Sequence, residues 1–365
     1  MNRSQQGIES RPSSKARLDN YRFSGFHKSH IGAVKSCLDY FNIACSEQWV
    51  HGMTGNAFIA VIDEELAAPN VGEPEEEMFA LARHLGLNIE GFHTFAADKE
   101  TFESLQKEAW DAARTALDRG QPVFAKELDL GNETSVVYAY DEDGYYTYSW
   151  HGGDGHEGSN DVIPWTMLGR NYCPCLSCRE RARRGEWAQE AISVKAAGEG
   201  GYISLHAASP CAPSDDRTAL LAALSFALSF SRLGKYEWGG RAFYTGSAAY
   251  DRWIAAVRSD AILGFYMGYY ADTLYESRRN GYLFLKEASG RFEGELSAAL
   301  SRASAHYKLV QEKLQALSMM FPWEQPGRPI EDPDRRKEAA ELLSDIKRLD
   351  GEGEQWLERL SGLCV

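Results

Sequence analysis

Several things this chain has little of narrow it first. No stretch approaches the ~20 consecutive apolar residues that a membrane-spanning helix needs, so no span is expected. Positive charge is in deficit: 39 lysines and arginines face 53 aspartates and glutamates, for a formal net charge of −14. Nucleic acid is therefore not an expected partner, because neutralising phosphates takes a basic surface. Cysteine is sparse and odd in number, seven in 365 residues, without the even framework of a secreted disulfide scaffold. Most of the seven are expected as thiols. The opening MNRSQQGIESRPSSKARLDN has no apolar core of a secretory signal, so a disordered lead over 1–14 and a cytoplasmic protein are expected. No internal repeat or low-complexity block is visible.

What is present reads as a globular protein, 44% hydrophobic and 25% charged, long enough for two domains. The segment from Gln121 to Trp150 carries three strand-like runs: 123–130 after Pro122, 135–140, and 145–150. Asp141-Glu-Asp-Gly144 joins the last two as a hairpin turn, since Asp-Gly tolerates the positive φ that a tight turn needs. Upstream, 26–41 reads as a helix with Ser29 as its cap and Val34, Cys37, Leu38 and Phe41 on one face. Gly52 and Gly55 then bend a loop, GMTGNAF, before a strand at 57–62. Glu73 to Gly86 reads as a short helix with Pro74 at its start and three glutamates on its positive end. A strand at 87–95 and a strong helix at 98–119 follow, and 191–206 closes the sheet. Beyond Pro213 the pattern is helical throughout, with Ser214 and Ser247 as caps, a proline-rich loop at 321–333, and one or two short helices to the end. The expected class is α+β, with an α/β domain over 15–210 and an α-helical domain over 211–365.

Candidate chemistry gathers in three places. In the first turn of the first helix, His27, Ser29 and His30 sit where backbone N–H groups point outward and the helix dipole favours negative charge. Ser29 reads either as a nucleophile or as an ordinary cap, and the histidines as its base or as surface residues. Glu133, between two strands at the mouth of the sheet, reads either as an acid/base or ligand carboxylate or as a loop residue. Thr54, Asn56, Tyr138 and Trp150 are the residues expected to line a cleft there. The third place is Cys173-Pro-Cys175-Leu-Ser-Cys178, which with a fourth ligand suits zinc. Arg179, Arg181, Arg183 and Arg184 after it either lower a thiol pKa, face an acidic partner, or form a solvated face. Cys37, Cys45 and Cys211 read as buried core thiols. Tyr266, Tyr269 and Tyr270 read as packing or as a hydroxyl-lined ligand box.

The order of a helix with a polar first turn, the glycine-rich GMTGNAF loop, and strands carrying RGQPVFA and VVYAYDEDG resembles the N-terminal domain of the butirosin biosynthesis protein H family. The resemblance covers about the first 200 residues. It implies a papain-like domain, related in fold to bacteriocin-processing cysteine peptidases, followed by a helical domain. It also implies thiol acyl chemistry: a cysteine opening the first helix, a histidine opening a central strand, and an Asp or Asn on the next strand, moving an acyl group from a carrier protein to an amino acceptor. Here the matching positions fall at or beside Ser29, Glu133, and Ser149 or Trp150. A thiolate–imidazolium pair is missing from them. A serine hydroxyl is a poor nucleophile until a base takes its proton, and a carboxylate cannot shuttle a proton between two nitrogens as imidazole does. The expectation is a pseudoenzyme that binds an acylated or amino-bearing small molecule, or its carrier protein, without a membrane or nucleic-acid partner. The alternatives are an active acyltransferase or hydrolase using Ser29 with His27 or His30, and a metal-stabilised interaction module.

Overall fold

The computed structural model describes residues 15–67, 71–129, 131, 133–148, 161–183, 200–259, 262–322 and 327–364. The expected lead at 1–14, together with Ser149, Trp150, Arg184 and most of the run before 200, lies outside them. Among the described residues the strands are β1 (Ala16–Arg17), β2 (Val61–Asp63), β3 (Leu87–Ala96), β4 (Val123–Lys126), β5 (Thr134–Tyr140), β6 (Gly144–Tyr148), β7 (Ile163–Pro164), β8 (Gly201–Pro210), β9 (Lys235–Trp238) and β10 (Arg241–Thr245). The helices are α1 (Ser29–Tyr40), α2 (Glu47–Met53), α3 (Glu75–Leu81), α4 (Lys99–Asp118), α5 (Leu176–Arg183), α6 (Asp216–Ser231), α7 (Gly246–Arg258), α8 (Gly264–Ser289), α9 (Gly294–Met320) and α10 (Pro333–Cys364). The class is α+β, as expected, with antiparallel sheets and a largely helical C-terminal region.

The larger sheet runs β3-β8-β4-β5-β6-β7, with β1 alongside β5. Its centre is β5, TSVVYAY, buried over its whole length, which suits a β-branched and aromatic run lying between two partners. Helix α4 covers part of the sheet, with Trp110 edge-on to Tyr140 and Tyr145. Its boundaries are those the sequence predicts: the Asp98 side chain accepts from the Thr101 N–H, and Gly120 closes the helix at φ +72.

Helix α1 is more deeply set than one apolar stripe implies. Nine of its 12 residues are buried, including Ser29, His30, Gly32 and Ser36 on its polar side. Ser36 is satisfied locally, donating to the Gly32 carbonyl at 2.7 Å and accepting from the Ser24 N–H at 2.9 Å. Cys37 lies in the core, 3.4 Å from the Tyr21 hydroxyl, with its thiol pushed up to about 12 by burial. Cys45 and Cys211 differ from expectation, being only half-buried.

Several local expectations change. The glycine loop is preceded by a helix: Ser46 caps α2 by accepting from the Trp49 N–H at 3.2 Å, and the left-handed turn falls at Gly55, φ +74. Asp215, not Ser214, caps α6, and Thr245 rather than Ser247 stands before α7. The stretch beyond Pro213 is not all helix, because β9 and β10 form a hairpin in which β10 also pairs with β2. The tail is a single helix of 32 residues. One buried apolar cluster joins α1 and the sheet to α6, α8, α9 and the end of α10, so the core runs continuously across residue 210. A second lies between β2 and helices α7 to α10.

Candidate functional site

The first turn of α1 meets the start of β5 inside the molecule. The Ser29 hydroxyl oxygen accepts the Thr134 N–H at 2.9 Å, and Ser29 is fully buried. The backbone leading into the helix is held as well: Glu276, reaching in from α8, accepts from the N–H groups of His27 and of the cap residue Lys28 at 2.9 and 3.0 Å. A carboxylate at this end satisfies orphan donors and complements the dipole. Glu133, 4% exposed, accepts from the Tyr269 hydroxyl of α8. The two segments that carry the candidate catalytic residues are thus neighbours, and α8 closes over both.

Around that junction lies a buried network of charge. Lys28 pairs with Glu73, and Lys126 of β4 with Glu75. His30 Nε2 stands 3.0 Å from Glu73 Oε2 but is not aligned to hydrogen-bond with it. Asn56 bridges, donating to Glu73 at 3.1 Å while its carbonyl lies 3.1 Å from His51 Nδ1. Burial is the leading influence on each shifted group. It draws the Lys28 ammonium down to about 7, against the pull of Glu276, and holds His30 well below its ordinary value, with Lys126 and Lys28 adding to the effect. His51 is lowered and Glu75 raised for the same reason. Burial thus favours the neutral forms here in spite of the tight pairings.

The predicted residues are distributed as follows. Ser29, His30, Glu133 and Asn56 are brought into this region, and His27 contributes its backbone N–H. Ser29 is not the helix cap expected; that position is Lys28, and Ser29 is the first helical residue. His30 is not a surface histidine, being fully buried. Thr54 is buried at the end of α2, where its hydroxyl donates to the Val50 carbonyl at 2.8 Å, so it closes a helix rather than lining a cleft. Tyr138 stacks on Tyr148 at 4.3 Å between centroids, with Arg17 over its ring. Trp150 lies outside the described residues. Tyr269 and Tyr270 use their hydroxyls on Glu133 and Asp63, one outcome the sequence leaves open.

Glu73, Lys126 and Glu276 are the members sequence reasoning misses. Lys126 carries a signal: a lysine inside the apolar run VFAK of a central strand is buried only if paired. Glu75, read as one of three glutamates complementing the helix dipole, is that partner.

The third cluster forms as expected. Cys173, Cys175 and Cys178 are buried, and their sulfurs all lie within 4.8 Å of one another, a group that could hold a metal ion. The Cys178 N–H donates to Cys175 Sγ at 3.4 Å. The segment leading into the cluster is pinned to the end of β4: the Gly169 and Asn171 N–H groups share the Glu127 carbonyl and Tyr172 bonds that of Leu128. Glu127 itself turns at φ +57 and bonds the Glu133 carbonyl, so the cysteines and Glu133 flank one turn. No helix among the described residues is long and apolar enough to cross a membrane. No family model matches the chain, and no curated protein matches it.

Proposed function

We propose that this chain is a papain-like protein of the butirosin biosynthesis protein H type whose catalytic position has become structural, and that it binds an acylated or amino-bearing small molecule, or the carrier protein bearing one, without turning it over. The observation that carries the reading is the Ser29 hydroxyl, fully buried and accepting a backbone N–H from Thr134. Its placement, at the opening of a helix that packs beside the start of a central antiparallel strand, favours the papain-like relation. Its surroundings disfavour chemistry. A nucleophile needs a base within reach and donors ready for an oxyanion. The two N–H groups just before Ser29, those of His27 and Lys28, are already occupied by Glu276, and the imidazole of His30 stands against Glu73.

The test uses intact-mass analysis after exposure to a small acyl thioester and to a fluorophosphonate. No adduct is expected from either, while calorimetry detects saturable binding of an acylated carrier protein or a non-hydrolysable acyl thioester analogue. A covalent adduct on the wild type that disappears in Ser29→Ala overturns the reading in favour of an acyltransferase or hydrolase using Ser29 with His27 or His30. An absence of binding to every acyl and amino ligand tried overturns the binder. The metal-stabilised interaction module stands beside this reading rather than against it, because the three cysteines form a separate group whose leading segment, through Gly169, Asn171 and Tyr172, is bonded to Glu127 and Leu128.

A further inference from the structure

We propose that Cys173, Cys175 and Cys178 bind one zinc ion through three thiolates, and that this ion fixes the turn from Glu127 to Glu133. The proposal stands independently of what Ser29 does. Three observations converge on it. First, three sulfurs within 4.8 Å of one another fit a single thiophilic cation, since a Zn–S bond of about 2.3 Å puts tetrahedral sulfurs roughly 3.8 Å apart. Second, the local frame suits thiolates. Cys175 immediately precedes α5 and Cys178 lies in its first turn, where N–H groups lack helical partners, and the Cys178 N–H already points at Cys175 Sγ. Third, the three thiols gather on a segment, 161–183, whose residues 168–175, carrying Cys173 and Cys175, lie outside any helix or strand. Such a segment gains most from a metal crosslink, because binding free energy becomes folding free energy.

Loading the site releases three protons from the three thiols and leaves a complex of charge −1. The exposed Arg179 and Arg183 on α5 lie close in sequence to offset it. Sulfur donors favour zinc or copper(I) over magnesium and calcium, and zinc is the choice for an ion with no redox role. Among the described residues no fourth His, Cys, Asp or Glu joins the three sulfurs. The consequence for the fold runs through the backbone: Gly169, Asn171 and Tyr172 are hydrogen-bonded to Glu127 and Leu128, so ordering the cysteines orders the strand end that leads to Glu133.

The experiment is elemental analysis of the full chain purified without a metal-binding tag. About one zinc per chain is expected, falling at least tenfold in Cys175→Ser and in Cys178→Ser, while Cys45→Ser and Cys211→Ser keep it. If the serine variants fail to fold, wild-type protein answers the same question. Titration of thiols with and without a strong chelator should expose three further thiols on metal removal, and cobalt(II) added to the stripped protein should give thiolate charge-transfer absorption. Hydrogen exchange over 127–135 should then accelerate at least several-fold. Zinc-free folded protein, zinc retained in Cys175→Ser, or iron or copper in its place overturns the assignment. Unchanged exchange over 127–135 after stripping overturns the bracing role.

Discussion

Two buried clusters of charge sit on the same helix, α8, and they are built on opposite terms. Arg278, 1% exposed, donates to both carboxylate oxygens of Asp350 at 2.7 and 2.6 Å and to the Ala57 and Ile59 carbonyls at 2.9 Å each. Tyr250 donates to the same carboxylate at 2.8 Å. Burial pulls the guanidinium down, yet Asp350 together with Tyr250 and Tyr307 more than offsets it and the net shift is upward. In the same turn of the helix, Glu276 points into the network at the start of α1, where burial wins: Lys28 is drawn to about 7, His30 and His51 fall, and Glu75 rises. Equal burial therefore does not mean equal commitment to charge. The clasp is a matched pair with a planar fork in place; in the other network burial favours the neutral forms of its lysine, histidines and glutamate.

The sharpest way to break that contrast is at the clasp. Arg278→Met leaves Asp350 buried with only Tyr250 to satisfy it, and should cost up to about 5 kcal/mol in urea unfolding. The double variant Arg278→Met with Asp350→Leu should recover most of the loss. A single variant within about 1 kcal/mol of wild type would show that the clasp contributes no more than an exposed pair.

Acid should be the next largest stress, and it separates the two clusters without mutation. Burial lowers His30, His51, His93 and His206, the last two to about 3. The unfolded chain takes up protons on these rings below about 6.5 while the folded one does not, so stability falls as pH falls. Between pH 6.5 and 5.5 His93 and His206 contribute about 1 kcal/mol each, and His30 and His51 act in the same direction. Glu75, raised by burial, works in the opposite direction but is one group against four. Thermal unfolding across this window checks the slope, and His206→Phe, set against Phe79 and Phe124, should reduce the loss by about 1 kcal/mol. A flat profile would mean that these imidazoles are protonated in the folded protein.

Within the α1 network, Lys28→Met should cost about 1–3 kcal/mol at neutral pH, less than Arg278→Met, because the lysine gives up much of its charge on burial. The loss should grow as pH rises from 7 toward 10. Over that range the unfolded lysine keeps its proton while the folded one, lowered to about 7, has lost it, so wild-type stability climbs with pH and the methionine variant's does not. Denaturant midpoints of wild type and variant at both pH values give the comparison. A cost equal to that of Arg278→Met at neutral pH, and unchanged at pH 10, would place both clusters on the same footing.

Much of the framework is legible in the sequence, and particular residues show why. Asp98 and Gly120 bracket α4, and Asp141 to Gly144 makes the turn into β6, because caps and turns are local chemistry. The β9–β10 hairpin is legible too: Gly239 and Gly240, both at positive φ, separate two strand-like runs, a signal outweighed by the helical pattern on either side. The juxtaposition of Ser29 with the mouth of the strand carrying Glu133 is the expected one. What fills that junction is not legible, since Glu276 lies 249 residues from His27 and Tyr269 lies 136 from Glu133. No periodicity in either helix marks a carboxylate or a phenol for a partner so far along the chain. The depth of α1 is hidden for a related reason: Ser29 is covered by Thr134, 105 residues on, and the backbone entering the helix by Glu276, 248 residues from Lys28.

The smallest expected effect bears most directly on function. Ser29→Cys restores a thiol to the opening of α1, a position where a helix dipole ordinarily lowers a thiol pKa. Here Glu276 already occupies the neighbouring N–H groups with negative charge, and the site is closed to solvent, so both influences push the new thiol toward its neutral form. Alkylation by iodoacetamide in the folded protein should therefore be no faster at the introduced thiol than at the buried Cys37, and stability should change by less than about 1 kcal/mol, since sulfur remains a weak acceptor for the Thr134 N–H. Adding Glu133→His should not raise the rate unless Tyr269 is also removed, because that hydroxyl holds the side chain at position 133 toward α8. If Ser29→Cys alone gains a reactive thiolate, the junction is an active site awaiting its nucleophile, and the difference between the two charge clusters is one of chemistry retained rather than chemistry lost.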